Sequence, residues 1–360
     1  TALCRPEELI QLLQRSAGVA EACGVELRSA MITDIPGYTW SLVPVMAKSG
    51  IRYFSAGTNV FHRIGDIKDV WGDRPFYWVS ESGIDSVLTW FPERGYSWFH
   101  TGLGSGKPKN LLTEEPVFEY VQQLSDSAYP YDISIIRYNI GSDNGPPHSA
   151  LPDIVKAWNE KYISPGLTIA TTSEAFAAFE DKYGHVLPSF RGDLTPYWED
   201  GAASSAKETA LNRQAAERLE QALSLWVISG NKHYPTDDIS QAWKNILLFD
   251  EHTWGSWNSI SAPLDTFTLN QWETKRSFAL EADRLSKQIM QKAIETLGPG
   301  KSENALAFDI WNTHSWPVTD IIFLPVPDGI GNAYATDVND NRLKSQRMSD
   351  GTLAVMVSEV

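Results

Sequence analysis

Along the first half of the chain, apolar residues at helical spacing alternate with short β-rich runs. Pro6, with Glu7 and Glu8 just behind it, opens a predicted helix over 6–22. A strand at Glu26–Thr33 follows, then a helix over 40–48 and a strand at Ile51–Ser55. Further strands are expected at Phe76–Ser80, Ser86–Phe91, Ile133–Asn139 and Leu167–Thr171. Helices are expected near 113–123, 151–160 and 173–182, and loops dominate 57–110. This order is the signature of βα units around a parallel sheet, an α/β fold. In such a sheet or barrel, the site lies at the carboxyl ends of the strands. Asp34, Asn59 and the turn Gly141-Ser142-Asp143-Asn144 occupy those ends.

After Pro188 the pattern changes. Leu211, Ala215, Leu219, Ala222 and Trp226 recur at steps of four and three, as do Phe278, Ala282, Leu285, Ile289 and Ala293. With a shorter helix around 238–248 they predict a three-helix bundle, ended by Gly298-Pro299-Gly300. Ala305–Trp311, Ile321–Val326 and Thr352–Val357 then read as strands, too few for a closed sandwich of about seven. At roughly 150 residues per domain, 360 residues make about 2.4 domains. The expected division is a β/α barrel domain over 1–190, a helical bundle over 191–300 and the start of a β-sandwich over 301–360.

Composition narrows the partners. Acidic residues outnumber basic ones 45 to 30, for a formal charge of −15, and such a surface repels nucleic acid and anionic membranes. No run of eighteen apolar residues is present to span a bilayer. A neutral sugar is indifferent to this charge. The 14 Trp suit either large cores or stacking platforms. Cys4 and Cys23 flank the first helix, whose ends stand roughly 25 Å apart at about 1.5 Å per residue, so they are not expected to form a disulfide.

The glycines at 102, 104 and 106 before Lys107 do not make a phosphate loop, because Thr101 stands where the first glycine belongs and Pro108 follows the lysine. No local His pair has metal-ligand spacing. His252 differs from the other histidines. An apolar helical run stops at Asp250-Glu251-His252, and Trp254 and Trp257 follow. Clustered ionisable groups of this kind need a metal or a substrate to compensate them, or else form a solvated helix end whose His complements the dipole. Asp34, Asp143 and Asp193 are the acidic candidates. Glycoside hydrolysis needs two such carboxyl groups, one as proton donor and one ionised. An isolated Asp otherwise serves turns and caps.

Taken in order, these motifs resemble glycoside hydrolase family 38, the retaining, metal-dependent α-mannosidases. The resemblance rests on Asp34-Ile35-Pro36-Gly37, on Gly141-Ser142-Asp143, on Leu187-Pro188-Ser189-Phe190-Arg191-Gly192-Asp193 with Tyr197-Trp198, and on His252 after the next bundle helix. It implies a seven-stranded type of β/α barrel, incomplete here, then a three-helix bundle and the opening of a β-sandwich. It implies Asp34 as nucleophile and metal ligand, Asp143 as general acid/base, His252 as a second ligand, and a divalent ion, Zn²⁺ by preference. Trp40, Trp78, Asp193, Trp254 and Trp257 become candidates for contacts with a carbohydrate substrate. Departures from the family pattern are Ser142 in place of an Asp, the absence of an arginine near Ala56-Gly57-Thr58-Asn59, and the absence of the His-x-Asp pair of the family's first strand. Since the chain begins inside a helix and its last strands break off, both ends are expected to be cut relative to the family. Two other readings stay open: a non-catalytic carbohydrate-binding relative on the same scaffold, and a metal-dependent polysaccharide deacetylase.

Overall fold

A computed structural model describes residues 3–35, 37–57, 70–92, 112–138, 147–194, 204–253, 258–298, 306–327 and 329–360. The chain forms two compact units, one of Thr1–Ala210 with Trp243–Ala279 and the other of Leu211–Ala242 with Leu280–Val360.

The first unit holds a five-stranded sheet. Helix α1 (Pro6–Ala22) leads to β1 (Ser29–Thr33), and α2 (Leu42–Lys48) leads to β2 (Tyr53–Gly57). Next come β3 (Phe76–Val79), β4 (Ser86–Trp90), α3 (Glu114–Asp126), α4 (Leu151–Lys161), α5 (Thr172–Tyr183) and β5 (Ser189–Phe190). The sheet order is β1-β2-β4-β3-β5. β1, β2 and β4 run parallel, with Thr33 opposite Gly57 and Ser55 opposite Trp90. All five residues of β2 are buried, as expected of a central parallel strand covered on both faces. Leu9 of α1 and Leu42, Val43 and Met46 of α2 pack with Phe54, Phe76, Trp78 and Phe91 in one core. Helix α5 docks through Glu180, which accepts from Arg52 at 2.7 Å, Tyr53 at 2.8 Å and Tyr77 at 3.3 Å.

Four expectations need correction. β3 is antiparallel to β4, because the short turn at Glu81–Asp85 allows only a hairpin between them. Residues 133–138 form no strand. Tyr129 donates to Ile133 O at 2.9 Å, Arg137 to Ser55 O at 2.9 Å, and Tyr138 pairs with His148 Nδ1, so side-chain bonds tether this segment. Residues 167–171 are likewise no strand: the Asn159 amide accepts from Leu167 N at 2.9 Å and donates to Leu167 O at 2.8 Å, taking the place of a ladder partner. Residues 306–311, the described part of the strand expected at 305–311, form no strand either. Neither Cys4 nor Cys23 is joined in a disulfide.

Three more helices follow, α6 (Ala206–Ser229), α7 (Thr236–Phe249) and α8 (Thr266–Thr296). In the second unit, Arg218 reaches Asp283 at 3.1 Å and Ser286 at 2.7 Å, and Lys292 reaches Asp238 at 2.8 Å. These bonds join all three helices there, over buried Leu219, Trp226, Ala282 and Ile289. The same unit carries a small antiparallel sheet in the order β6-β8-β7, from β6 (Asp320–Leu324), β7 (Ser345–Arg347) and β8 (Leu353–Val357). Among the described residues, no helix is long and apolar enough to cross a membrane.

A buried polar network fixes the far side of the first unit. Asp73, 3% exposed, accepts from the Tyr120 hydroxyl at 2.9 Å, while Trp90 and Tyr129 donate to its carbonyl. Burial first, and the Asp73 charge second, push the Tyr120 hydroxyl well above the usual phenol range, so it remains a donor. Removing that donor leaves a buried carboxylate oxygen short of a partner. Tyr120→Phe is expected to cost about 1–3 kcal/mol, read as a lowered urea midpoint. An unchanged midpoint would contradict this account.

Candidate active site

Asp34 follows β1 directly. Its N–H donates to Gly57 O at 2.8 Å, extending the β1–β2 pairing by one step, and its backbone then turns left-handed with φ 67°. Few residues other than glycine adopt this conformation, Asp and Asn most readily, and strain of this kind clusters at functional positions. The turn projects the carboxylate beyond the strand end with a third of its side chain exposed.

A strap holds the loop behind it. Tyr38 and Leu194 exchange two backbone hydrogen bonds, of 2.8 and 3.1 Å. Asp193 Oδ1 accepts from the Trp40 N–H at 2.6 Å. The Trp40 indole donates to Val79 O at 2.7 Å, and the Trp78 indole donates to Gly192 O at 2.8 Å. Gly192 has φ 129°, a conformation that L side chains rarely take. The motif from Leu187 to Asp193 is therefore a brace on the Asp34 loop, anchored by the pairing of Phe190 with Trp78.

His252 arrives from the end of α7, 218 residues away in sequence, and its Nε2 lies 3.1 Å from Asp34 Oδ2. Its Nδ1 lies 2.6 Å from Glu251 Oε1. The hydrogen bond with Asp34, then that with Glu251, raise the imidazole pKa to about 9 against the opposing effect of burial. Burial disfavours the Glu251 charge, but bonds from His252 and Thr253 and the charge of Lys275 outweigh it and hold the carboxyl well below its usual range. Lys275 of α8 donates to Glu251 Oε2 at 3.2 Å, Glu251 O at 2.8 Å and Leu248 O at 3.0 Å. Burial pulls the Lys275 pKa down, and Glu251 counters it.

Two donors on one ion, with bonds near 2.1 Å at a tetrahedral angle, stand about 3.4 Å apart. The 3.1 Å between Asp34 Oδ2 and His252 Nε2 suits such a pair. Glu251 on the other ring nitrogen supplies the carboxylate that customarily orients a ligating histidine. A second set of donors is formed by Cys4, Glu8 and Asp250, whose thiol and two carboxylates lie within 4.8 Å of one another.

Of the residues singled out in the sequence, Asp34 and His252 come together, and Trp40 and Asp193 meet in the strap. Trp78 is fully buried, stacked on Phe54 with ring centroids 6.2 Å apart, so it has no face to offer a sugar. Trp78 therefore belongs to the core rather than to an exposed sugar-stacking surface. Asn59, Asp143, Trp254 and Trp257 lie outside the described residues. Sequence reasoning missed Lys275 and the nearness of Cys4 to Glu8, although both left a trace. Lys275 stands three residues before Phe278 on an apolar stripe, and Cys4 and Glu8 are four apart at a helix start. Arg137 was missed too. Its Nε and Nη1 are buried without a hydrogen-bond partner, and burial lowers its pKa to about 10.

Residues 3–200 match the N-terminal domain of the glycosyl hydrolases family 38. That span includes Asp34, Trp40, Trp78, Asp143 and Asp193, and stops short of His252. Among solved structures, the chain is similar to the crystal structure of an alpha-mannosidase from Enterococcus faecalis V583, with 14% identity and a TM-score of 0.65. The alignment covers 99% of this chain and 45% of that one, so this chain spans less than half the length of the enzyme it resembles. At this identity the likeness speaks for the fold. No curated protein matches the chain.

The strap yields a local test. A hydrogen bond to a charged acceptor contributes about 1.5–3 kcal/mol, and about 1.4 kcal/mol is tenfold in an equilibrium. Asp193→Ala is expected to speed exchange of the Trp40 amide hydrogen at least tenfold, measured by NMR or mass spectrometry. Asp193→Asn, which keeps an acceptor oxygen, is expected to restore most of the protection. Equal rates in all three proteins would remove Asp193 from this role.

Proposed function

Because the chain belongs to glycosyl hydrolase family 38, we propose that it carries the catalytic machinery of a retaining, metal-dependent α-mannosidase acting on a carbohydrate substrate. The observation that carries this reading is the meeting of Asp34 and His252, 3.1 Å apart at the carboxyl end of β1. The same reading takes residues 1–190 as an incomplete seven-stranded type of β/α barrel, 191–300 as a three-helix bundle and 301–360 as the start of a β-sandwich.

Asp34 is the nucleophile. Its Oδ2 stands 3.1 Å from His252 Nε2, and its backbone turn directs the carboxylate away from the sheet. Asp143 is the general acid. As an Asp34 oxygen bonds to the anomeric carbon, the glycosidic C–O bond breaks and the Asp143 proton passes to the departing oxygen. Water then gives its proton to Asp143 and attacks the anomeric carbon, and the Asp34 ester bond breaks. Two displacements retain the anomeric configuration, and they require the two carboxyl groups about 5–5.5 Å apart. Asp34 and His252 are the residues that would hold a divalent ion, Zn²⁺ by donor type, whose chemistry is to orient sugar hydroxyls and polarise the ring. Trp40, half-buried beside the strap, shapes the sugar site, and Trp254 and Trp257 follow His252 closely enough in sequence to join it.

Turnover of an aryl α-mannoside, with the first-formed sugar followed by NMR, tests the reading. Retention is expected, and Asp34→Ala is expected to reduce activity to background. Asp143→Ala is expected to cost about 10²–10⁴-fold on a substrate with a poor leaving group, and much less when the leaving group needs no proton. An inverted product or an active Asp34→Ala protein would refute the assignment. No turnover across a glycoside panel, with no metal bound, would favour a carbohydrate-binding relative, whereas release of acetate would favour a deacetylase.

A further inference from the structure

We propose that Lys275 is a positioning residue of the candidate site, setting through Glu251 the orientation in which His252 faces Asp34. The proposal rests on Asp34 and His252 as the working pair, and it concerns a geometry that can be measured without turnover.

Lys275 lies on the apolar stripe of α8 with Phe278, Ala282, Leu285, Ile289 and Ala293, and it is only 5% exposed. A buried ammonium is costly unless its hydrogens are all received. Three acceptors do so: Leu248 O at 3.0 Å, Glu251 O at 2.8 Å and Glu251 Oε2 at 3.2 Å. An ammonium has three donors, so this one is fully committed. All three acceptors belong to the last residues of α7 and the turn that follows. Leu248 offers a carbonyl at the helix end, where intrahelical partners run out and positive charge is favoured. The Phe249 ring, its centroid 5.8 Å from the ammonium, closes the pocket.

The consequence falls on Glu251. Lys275 holds its main chain and one carboxylate oxygen, the Thr253 N–H bonds both carboxylate oxygens at 3.2 and 3.1 Å, and the other oxygen stands 2.6 Å from His252 Nδ1. Fixing one ring nitrogen fixes the imidazole plane, and Nε2 then stands 3.1 Å from Asp34. A methionine in this stripe would fill the same volume at no electrostatic cost, so packing alone does not call for a lysine.

Imidazole ¹⁵N spectra of histidine-labelled protein test the proposal. In Lys275→Met the His252 signals are expected to move while those of the other six of the seven histidines stay. Loss of such an outer partner is also expected to weaken Zn²⁺ binding, with Zn²⁺ alone as the probe, by about 10–100-fold. Lys275→Arg is expected to recover part of both. Folded Lys275→Met with wild-type His252 signals would overturn the proposal. Should Lys275→Met fail to fold, Lys275→Gln, which keeps two N–H donors in the same pocket but no charge, is read in the same way: moved His252 signals support the proposal and unmoved ones overturn it. Wild-type protein that binds no Zn²⁺, with His252 signals still moved by Lys275→Met, would keep the positioning role and overturn the ligand reading.

Discussion

The contact between Asp34 and His252 is the constraint around which the first unit is organised. It joins the end of a parallel strand to the end of a helix 218 residues away, so neither partner can adjust alone. On one side the β1–β2 ladder runs one bond past Thr33, through the Asp34 amide, and the Tyr38–Leu194 bridge closes the loop behind. On the other side, α7 stops at Phe249 and Glu251 steers the imidazole. Two independently braced segments meet in one ion pair, an arrangement that withstands local motion because each brace is anchored in buried structure.

Electrostatics near this contact is layered. Asp34 and Glu251 place negative charge on both nitrogens of His252, and the Lys275 ammonium places positive charge behind Glu251. Charges therefore alternate outward from Asp34. An alternating chain costs less to bury than its members would singly, because every charge has an opposite partner within hydrogen-bond reach.

What the sequence disclosed depended on whether the signal was local. The helix opened by Pro6, the strands around Phe76 and Ser86, and the apolar stripes of the long helices all arise from short-range periodicity, and they appear where that periodicity put them. Asp34 and His252 were found because each stood at an element end, where polar residues are conspicuous. Misreadings came where side chains replaced backbone pairing: Leu167–Thr171 alternates like a strand, but the Asn159 amide occupies the bonds a neighbouring strand would use. The sense of the β3–β4 hairpin likewise depends on turn length rather than on pattern. Lys275 was overlooked because reading a stripe by its apolar members discards the polar residue that interrupts it. Trp78 shows the opposite error, a residue noted for its chemistry whose place is the core.

The left-handed backbone at Asp34 also bears on evolution. Asp and Asn enter this conformation several-fold more readily than other residues with a side chain, through their short polar groups. A longer acid such as Glu would keep the charge but oppose the turn. Apart from glycine, which gives up the side chain altogether, the replacement the backbone accepts as readily is Asn, which gives up the charge. Divergence at this position therefore has few routes open, and a lineage that loses the acid loses it in one step without passing through another.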